Sequence, residues 1–77
     1  MPHTLKLSAL KKGQSAKIIS FDKDYLKLKF YEMGCIPGER IKVELVAPFG
    51  DPIAIDINGY LLSLRKQDAQ YIKVEVE

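Results

Sequence analysis

His3, Cys35 and Met33 are the side chains of this chain whose types most invite a chemical role. A catalytic nucleophile or base needs an orienting group beside it. His3 is the single histidine and stands three residues from the start, where a frayed end is expected. Cys35 has no second histidine to activate it, so neither residue is assigned catalysis. Met33 and Cys35 place two soft sulfurs close together, but a structural zinc site takes four ligands from Cys and His. This chain has one of each. Asp22 and Asp24 come nearest to a hard-ion pair, and a turn followed by a helix N-cap explains them. Gly34, Gly38 and Gly50 do not make a phosphate cradle, since none precedes Lys-Ser or Lys-Thr and the G-x-G spacing is absent. No enzyme activity, resident cofactor or intrinsic metal is expected. Cys35 reads as a small apolar residue packed behind Pro37-Gly38.

What remains of the unusual residues is backbone geometry. Gly34 suits the left-handed position that closes a helix. Pro37-Gly38 supplies the fixed φ and then the positive φ that a type II turn demands. Gly50 lies in a second turn, Pro48-Phe49-Gly50-Asp51-Pro52, and Asn58-Gly59 is the preferred type I′ hairpin pair. Between Asp24 and Gly34 the pattern is ambiguous. Leu26, Leu28 and Phe30 alternate like a strand, whereas Leu26, Phe30 and Met33 form one stripe of a helix. The good helix formers and the absence of β-branched residues favour a helix, with Asp24 as N-cap.

The other elements follow from period two. Ser8 to Gly13 reads as one helical turn, Ser8 being its N-cap and Gly13 its terminator. Ser15 to Phe21 is a strand with Ala16 and Ile18 on one face and Lys17, Ile19 and Phe21 on the other. Arg40 to Ala47 presents Ile41, Val43 and Leu45 together. Ile53 to Asn58 presents Ile53, Ile55 and Ile57. Tyr60 to Arg65 pairs back with Leu62 and Leu64 inward. Gln67 to Gln70 allows a helical turn, and Tyr71 to Val76 puts Ile72, Val74 and Val76 on one face. This is a mainly β fold, a small antiparallel barrel of about five strands with one short helix after the first.

The 77 residues make one domain, with stability of about 4–12 kcal/mol at the usual per-residue scale. A hydrophobic share of 47% excludes global disorder. The net charge of +2 is spread along the chain and lacks the concentrated basic face of a nucleic-acid reader. One cysteine forbids an internal disulfide, which favours a reducing compartment. The longest run without a polar side chain, Leu45 to Phe49, is too short for a membrane span or a signal peptide. A cytoplasmic protein without direct membrane insertion is expected.

At Glu32-Met33-Gly34-Cys35-Ile36-Pro37-Gly38-Glu39, and again at Ala47-Pro48-Phe49-Gly50-Asp51-Pro52-Ile53, the chain resembles the FeoA family. The likeness runs upstream through Leu7 to Gln14 and downstream through Leu62 to Arg65, with Ala69 and Ile72. It implies an SH3-like barrel, also found as the C-terminal domain of DtxR-type metal-dependent repressors. It further implies a non-catalytic accessory role at FeoB, the membrane ferrous-iron transporter with a cytosolic GTPase domain. Cys35 departs from the family pattern, which typically has an aliphatic residue there.

With catalysis and cofactor chemistry set aside, surface recognition is the remaining function. Ile19, Val46 and Leu61 fall off the inward faces, as do Leu28 and Tyr31 on the helix. Phe49, at a loop tip between two prolines with Asp51 beside it, is either a barrel plug or an anchor for a partner. Leu28, Tyr31, Phe49 and Asp51 are therefore the candidate partner-binding residues, and exposed strands leave room for a homo-oligomer. Two rival readings stand beside the adaptor. One is a small nucleic-acid-binding barrel; the other is a metal-sensing module using Met33, Cys35 or His3.

Overall fold

Alternating isoleucines decide the centre of the molecule. The strand β4 (Ile53–Ile57) buries Ile53, Ile55 and Ile57 and turns Ala54 and Asp56 away. Burying a side chain of this size contributes about 1.5–3 kcal/mol. A computed structural model describes residues 3–76. Before β4 the chain forms β1 (His3–Lys6), a 3-10 turn at Leu7–Ala9, β2 (Ser15–Phe21), α1 (Asp24–Glu32) and β3 (Arg40–Val46). After it come β5 (Tyr60–Leu64), α2 (Lys66–Ala69) and β6 (Ile72–Val76). All neighbouring strands are antiparallel, in the order β1-β6-β2-β3-β4-β5, and the sheet curls around one apolar core. Among the described residues no polar or charged side chain is buried.

The turn glycines do what their positions demand. Asn58 and Gly59 both have positive φ, 52° and 82°, which is the I′ geometry joining β4 to β5. Gly38 has φ 99°, and Glu39 N–H donates to the Ile36 carbonyl at 3.1 Å, closing the expected type II turn around Pro37-Gly38. Gly34 ends α1 in a Schellman arrangement. Its N–H donates to the Tyr31 carbonyl at 3.0 Å, and Cys35 N–H donates to the Phe30 carbonyl at 2.9 Å. Cys35 and Phe30 stand at the two positions whose apolar side chains usually accompany this motif, and both are buried in the core.

Several expectations need correction. Among the described residues there are six strands, because residues 3–6 are not a frayed end. His3 pairs with Val76 and Leu5 with Val74, so α1 follows the second strand rather than the first. The sequence hides this strand because all four of its side chains are exposed and carry no alternation. Ser8 does not cap a helix; the 3-10 turn begins at Leu7 without a side-chain cap, and Gly13 closes a separate turn between Lys11 and Gln14. Lys23, not Asp24, occupies the N-cap of α1, and Asp24 is its first residue.

Two bulges overturn the simple alternation. In β3 the register slips between Val43 and Leu45, so Leu45 turns outward and Val46, opposite Ile53, turns to the core. In β2 the slip between Ile18 and Ser20 brings Phe21 opposite Ile72 and inward. Its ring meets Phe30 of α1 at 5.1 Å. One extra residue reverses every later side chain in a strand.

Gly38→Val is expected to cost about 2 kcal/mol and lower the thermal midpoint by roughly 10 °C. A Cβ at Gly38 would meet open space, so the loss comes from φ alone. Gly38→Asn, which tolerates positive φ better, is expected to lose less. A Gly38→Val protein melting with the wild type would contradict the turn.

Candidate partner-binding surface

Phe49 is held out into solvent by backbone hydrogen bonds on both sides of it. Gly50 N–H donates to the Ala47 carbonyl at 2.7 Å, and Ala47 N–H donates to the Pro52 carbonyl at 3.1 Å. The Asp51–Pro52 bond is cis. Asp51 Oδ1 accepts the N–H of Lys66 at 3.0 Å, tying this loop to the start of α2. Phe49 is 96% exposed, so the ring is presented rather than plugged into the barrel. Asp51 thus has a tethering job within the chain and also lines a shallow polar depression with Lys6, Ser8 and Lys66.

Leu28 and Tyr31 share the outer face of α1, one turn apart. Leu28 is 63% exposed. Tyr31 is partly committed within the fold: its ring stands edge-on to Phe21 at 6.3 Å, and Lys27 Nζ lies 5.8 Å over it. The start of α1 is moored to α2, since Tyr25 Oη donates to Asp68 Oδ1 at 2.7 Å. That bond, with lesser desolvation and the Asp68 charge, raises the phenol above its ordinary range. Lys23 Nζ rests 4.8 Å from the Tyr71 ring centroid. Leu28 and Tyr31 therefore belong to α1, whereas Phe49 and Asp51 belong to the loop tied to α2.

An apolar groove escaped the sequence reading. It has a volume of about 460 Å³ and is lined by Glu32, Met33, Tyr60, Leu61 and Leu62, between the end of α1 and β5. Met33 and Leu62 were expected in the core, and both pack against it only partly. The available signal was Tyr60-Leu61-Leu62, three large apolar residues in succession where alternation calls for a polar one.

Cys35 is fully buried, and its thiol lies between two polar groups. It donates to the Met33 carbonyl at 3.7 Å and accepts from Asn58 Nδ2 at 3.8 Å. The thiol therefore joins the end of α1 to the β4–β5 turn, which an aliphatic side chain would not do. Burial pushes its pKa up, the Glu39 charge adds to this, and the Asn58 bond partly opposes it. Among the described residues, no three His, Cys, Asp or Glu side chains gather where they could hold a metal ion.

The model of the FeoA domain family matches residues 5–76. This chain belongs to that family. The Fe(2+) transport protein A/Fe(2+) transporter FeoB fusion protein of Porphyromonas gingivalis is 36% identical over 73 residues, covering 94% of this chain. The match spans only 9% of that much longer relative. The solution structure of the FeoA protein from Chlorobium tepidum superposes with a TM-score of 0.86 at 36% identity, covering 94% of this chain and 70% of that one. T. acidophilum IdeR superposes with a TM-score of 0.79 at 25% identity, covering 96% of this chain and 34% of that one. The SH3-like fold agrees with the expectation from the two turn motifs, and it is shared with part of the T. acidophilum IdeR chain.

The raised Cys35 pKa gives a pH dependence of definite sign. Below about pH 8.5–9 the thiol is protonated in both folded and unfolded chains, and its contribution is complete. Above that, the unfolded chain releases its proton while the folded one holds it, so stability falls. Urea midpoints measured through this range are expected to fall more for the wild type than for Cys35→Val. Parallel profiles would contradict the burial of the thiol.

Proposed function

We propose that this FeoA-family protein is a non-catalytic cytosolic accessory of ferrous-iron uptake, acting by contact with the cytoplasmic GTPase domain of a FeoB-type transporter. The observation that carries this reading is the fusion relative, in which a similar domain shares one polypeptide with FeoB. Two partners that work together tolerate covalent joining, because tethering raises their effective concentration without obstructing the contact. The structure supports a contact role by giving Phe49 a fixed, outward position on a tethered loop. A loop already fixed in this way has little backbone entropy left to lose on docking, so its aromatic suits an interface anchor. Leu28 and Tyr31 would extend the contact along α1.

Phe49→Ala is expected to leave the thermal midpoint unchanged while weakening binding to the isolated GTPase domain by about 2 kcal/mol, roughly thirtyfold. Calorimetry on the two purified proteins measures it. Absence of any association, together with unchanged iron uptake on deletion, would refute the accessory role. Undiminished binding by Phe49→Ala would remove the loop from the contact.

A further inference from the structure

We infer that the Phe49 loop and the lysines beside it receive an acidic element of the protein partner, with carboxylates bordering the apolar pocket that takes the ring. This deepens the accessory reading and rests on it. Next to the exposed Phe49, the Lys66 ammonium reaches the loop itself: a Cβ on Gly50 would lie 3.9 Å from Lys66 Nζ. The depression beside this loop has a volume of about 410 Å³, and its lining combines Lys6 and Lys66 with Ser8, Gln67 and Gln70. Lys6 also stands directly opposite Lys73 in the antiparallel pair of β1 and β6, so the two side chains share one face. Like charges in that register repel. The next strand brings no relief, because Ser20 of β2 is the residue opposite Lys73. Among the described residues Lys6, Lys66 and Lys73 make no ion pair.

The acids nearby are engaged elsewhere. Asp51 Oδ1 accepts the Lys66 N–H, Asp68 Oδ1 accepts from Tyr25 Oη, and Glu75 stands opposite Lys17. Two ammonium groups in the depression and a third across from Lys6 therefore leave this surface positive where it borders Phe49. Carboxylates placed there relieve the repulsion between Lys6 and Lys73 while Phe49 fills the apolar pocket, so charge and shape act on the same partner element. Asp51 selects a protein over an anionic bilayer. It stays exposed two residues from Phe49, where a continuous layer of negative headgroups would repel it and a protein can present a hydrogen-bond donor.

Calorimetry of the full chain against the isolated GTPase domain at low and high salt tests this. Wild-type affinity is expected to fall as salt rises, because exposed charges are screened. Lys6→Glu and Lys66→Glu change exposed side chains and leave the core untouched. Each is expected to raise the dissociation constant at least about tenfold and to flatten the salt dependence. Lys12→Glu, at an exposed position in the turn before β2, makes the same change in net charge and is expected to stay within about twofold. An equal loss in Lys12→Glu overturns the proposal, because net charge alone then accounts for it. Binding indifferent to both Lys6→Glu and Lys66→Glu also overturns it and leaves the accessory reading intact. A wild type that does not associate refutes the accessory reading and takes this inference with it. Sedimentation with vesicles of phosphatidylcholine and phosphatidylglycerol supplies the last outcome. Vesicle binding lost in both variants, with affinity for the GTPase domain unchanged, assigns the lysines to a lipid surface and overturns the proposal.

Discussion

The reversal between α1 and β3 is the constraint on which the rest of the molecule depends. In the seven residues from Met33 to Glu39 the chain leaves a helix, buries Cys35 and enters a strand, using positive φ at Gly34 and again at Gly38. The Phe30 carbonyl takes the N–H groups of Met33 and Cys35, at 3.0 and 2.9 Å, so the helix end is satisfied without solvent. The turn then docks on β2: Gly38 N–H donates to the Ile18 carbonyl at 2.8 Å, and Ile18 N–H to the Glu39 carbonyl at 2.9 Å. Those two bonds lie next to the register in which Lys17 faces Arg40 and Ala16 faces Ile41. The same reversal brings Glu32 and Met33 beside β5 and creates the groove there.

The proposed contact role makes surface presentation the property to follow on such a scaffold. Packing a core this small leaves little interior for a ligand, and among the described residues the polar side chains stay outside it. The informative features are apolar side chains the core does not claim. Phe49 stands on a loop fixed by its own turn and by the Asp51 carboxylate on Lys66. Tyr60 and Leu61 stand on a strand whose outer edge is open. These surfaces arise from different elements of the fold.

The legible and illegible parts of the fold divide along a physical line. Helix α1 was readable because Leu26, Phe30 and Met33 recur at helical spacing and Gly34 stops them. β4 was readable because its three isoleucines never break period two. Leu45 and Phe21 were misplaced because a bulge is a mismatch between two strands, and no single strand's pattern records it. β1 was missed for a related reason. Its pairing is with β6, at the far end of the chain, and its side chains remain in solvent.

For the candidate site, the sequence by itself named Phe49, Leu28 and Tyr31 as apolar residues without an assigned place, and the turn motifs pointed to the family. It also marked Gly34, Gly38 and the Asn58-Gly59 pair for positive φ, because glycine and asparagine adopt it with least strain. Only the tertiary structure decided that Phe49 points outward, that Asp51 tethers its loop to α2, and that Met33 joins Tyr60 and Leu61 in a groove. It likewise turned Cys35 from an apolar filler into a buried thiol held between the Met33 carbonyl and Asn58. The physical reason is common to all of these. Backbone preference is local and written in each residue, whereas exposure and contact depend on which distant segment occupies the space beside it.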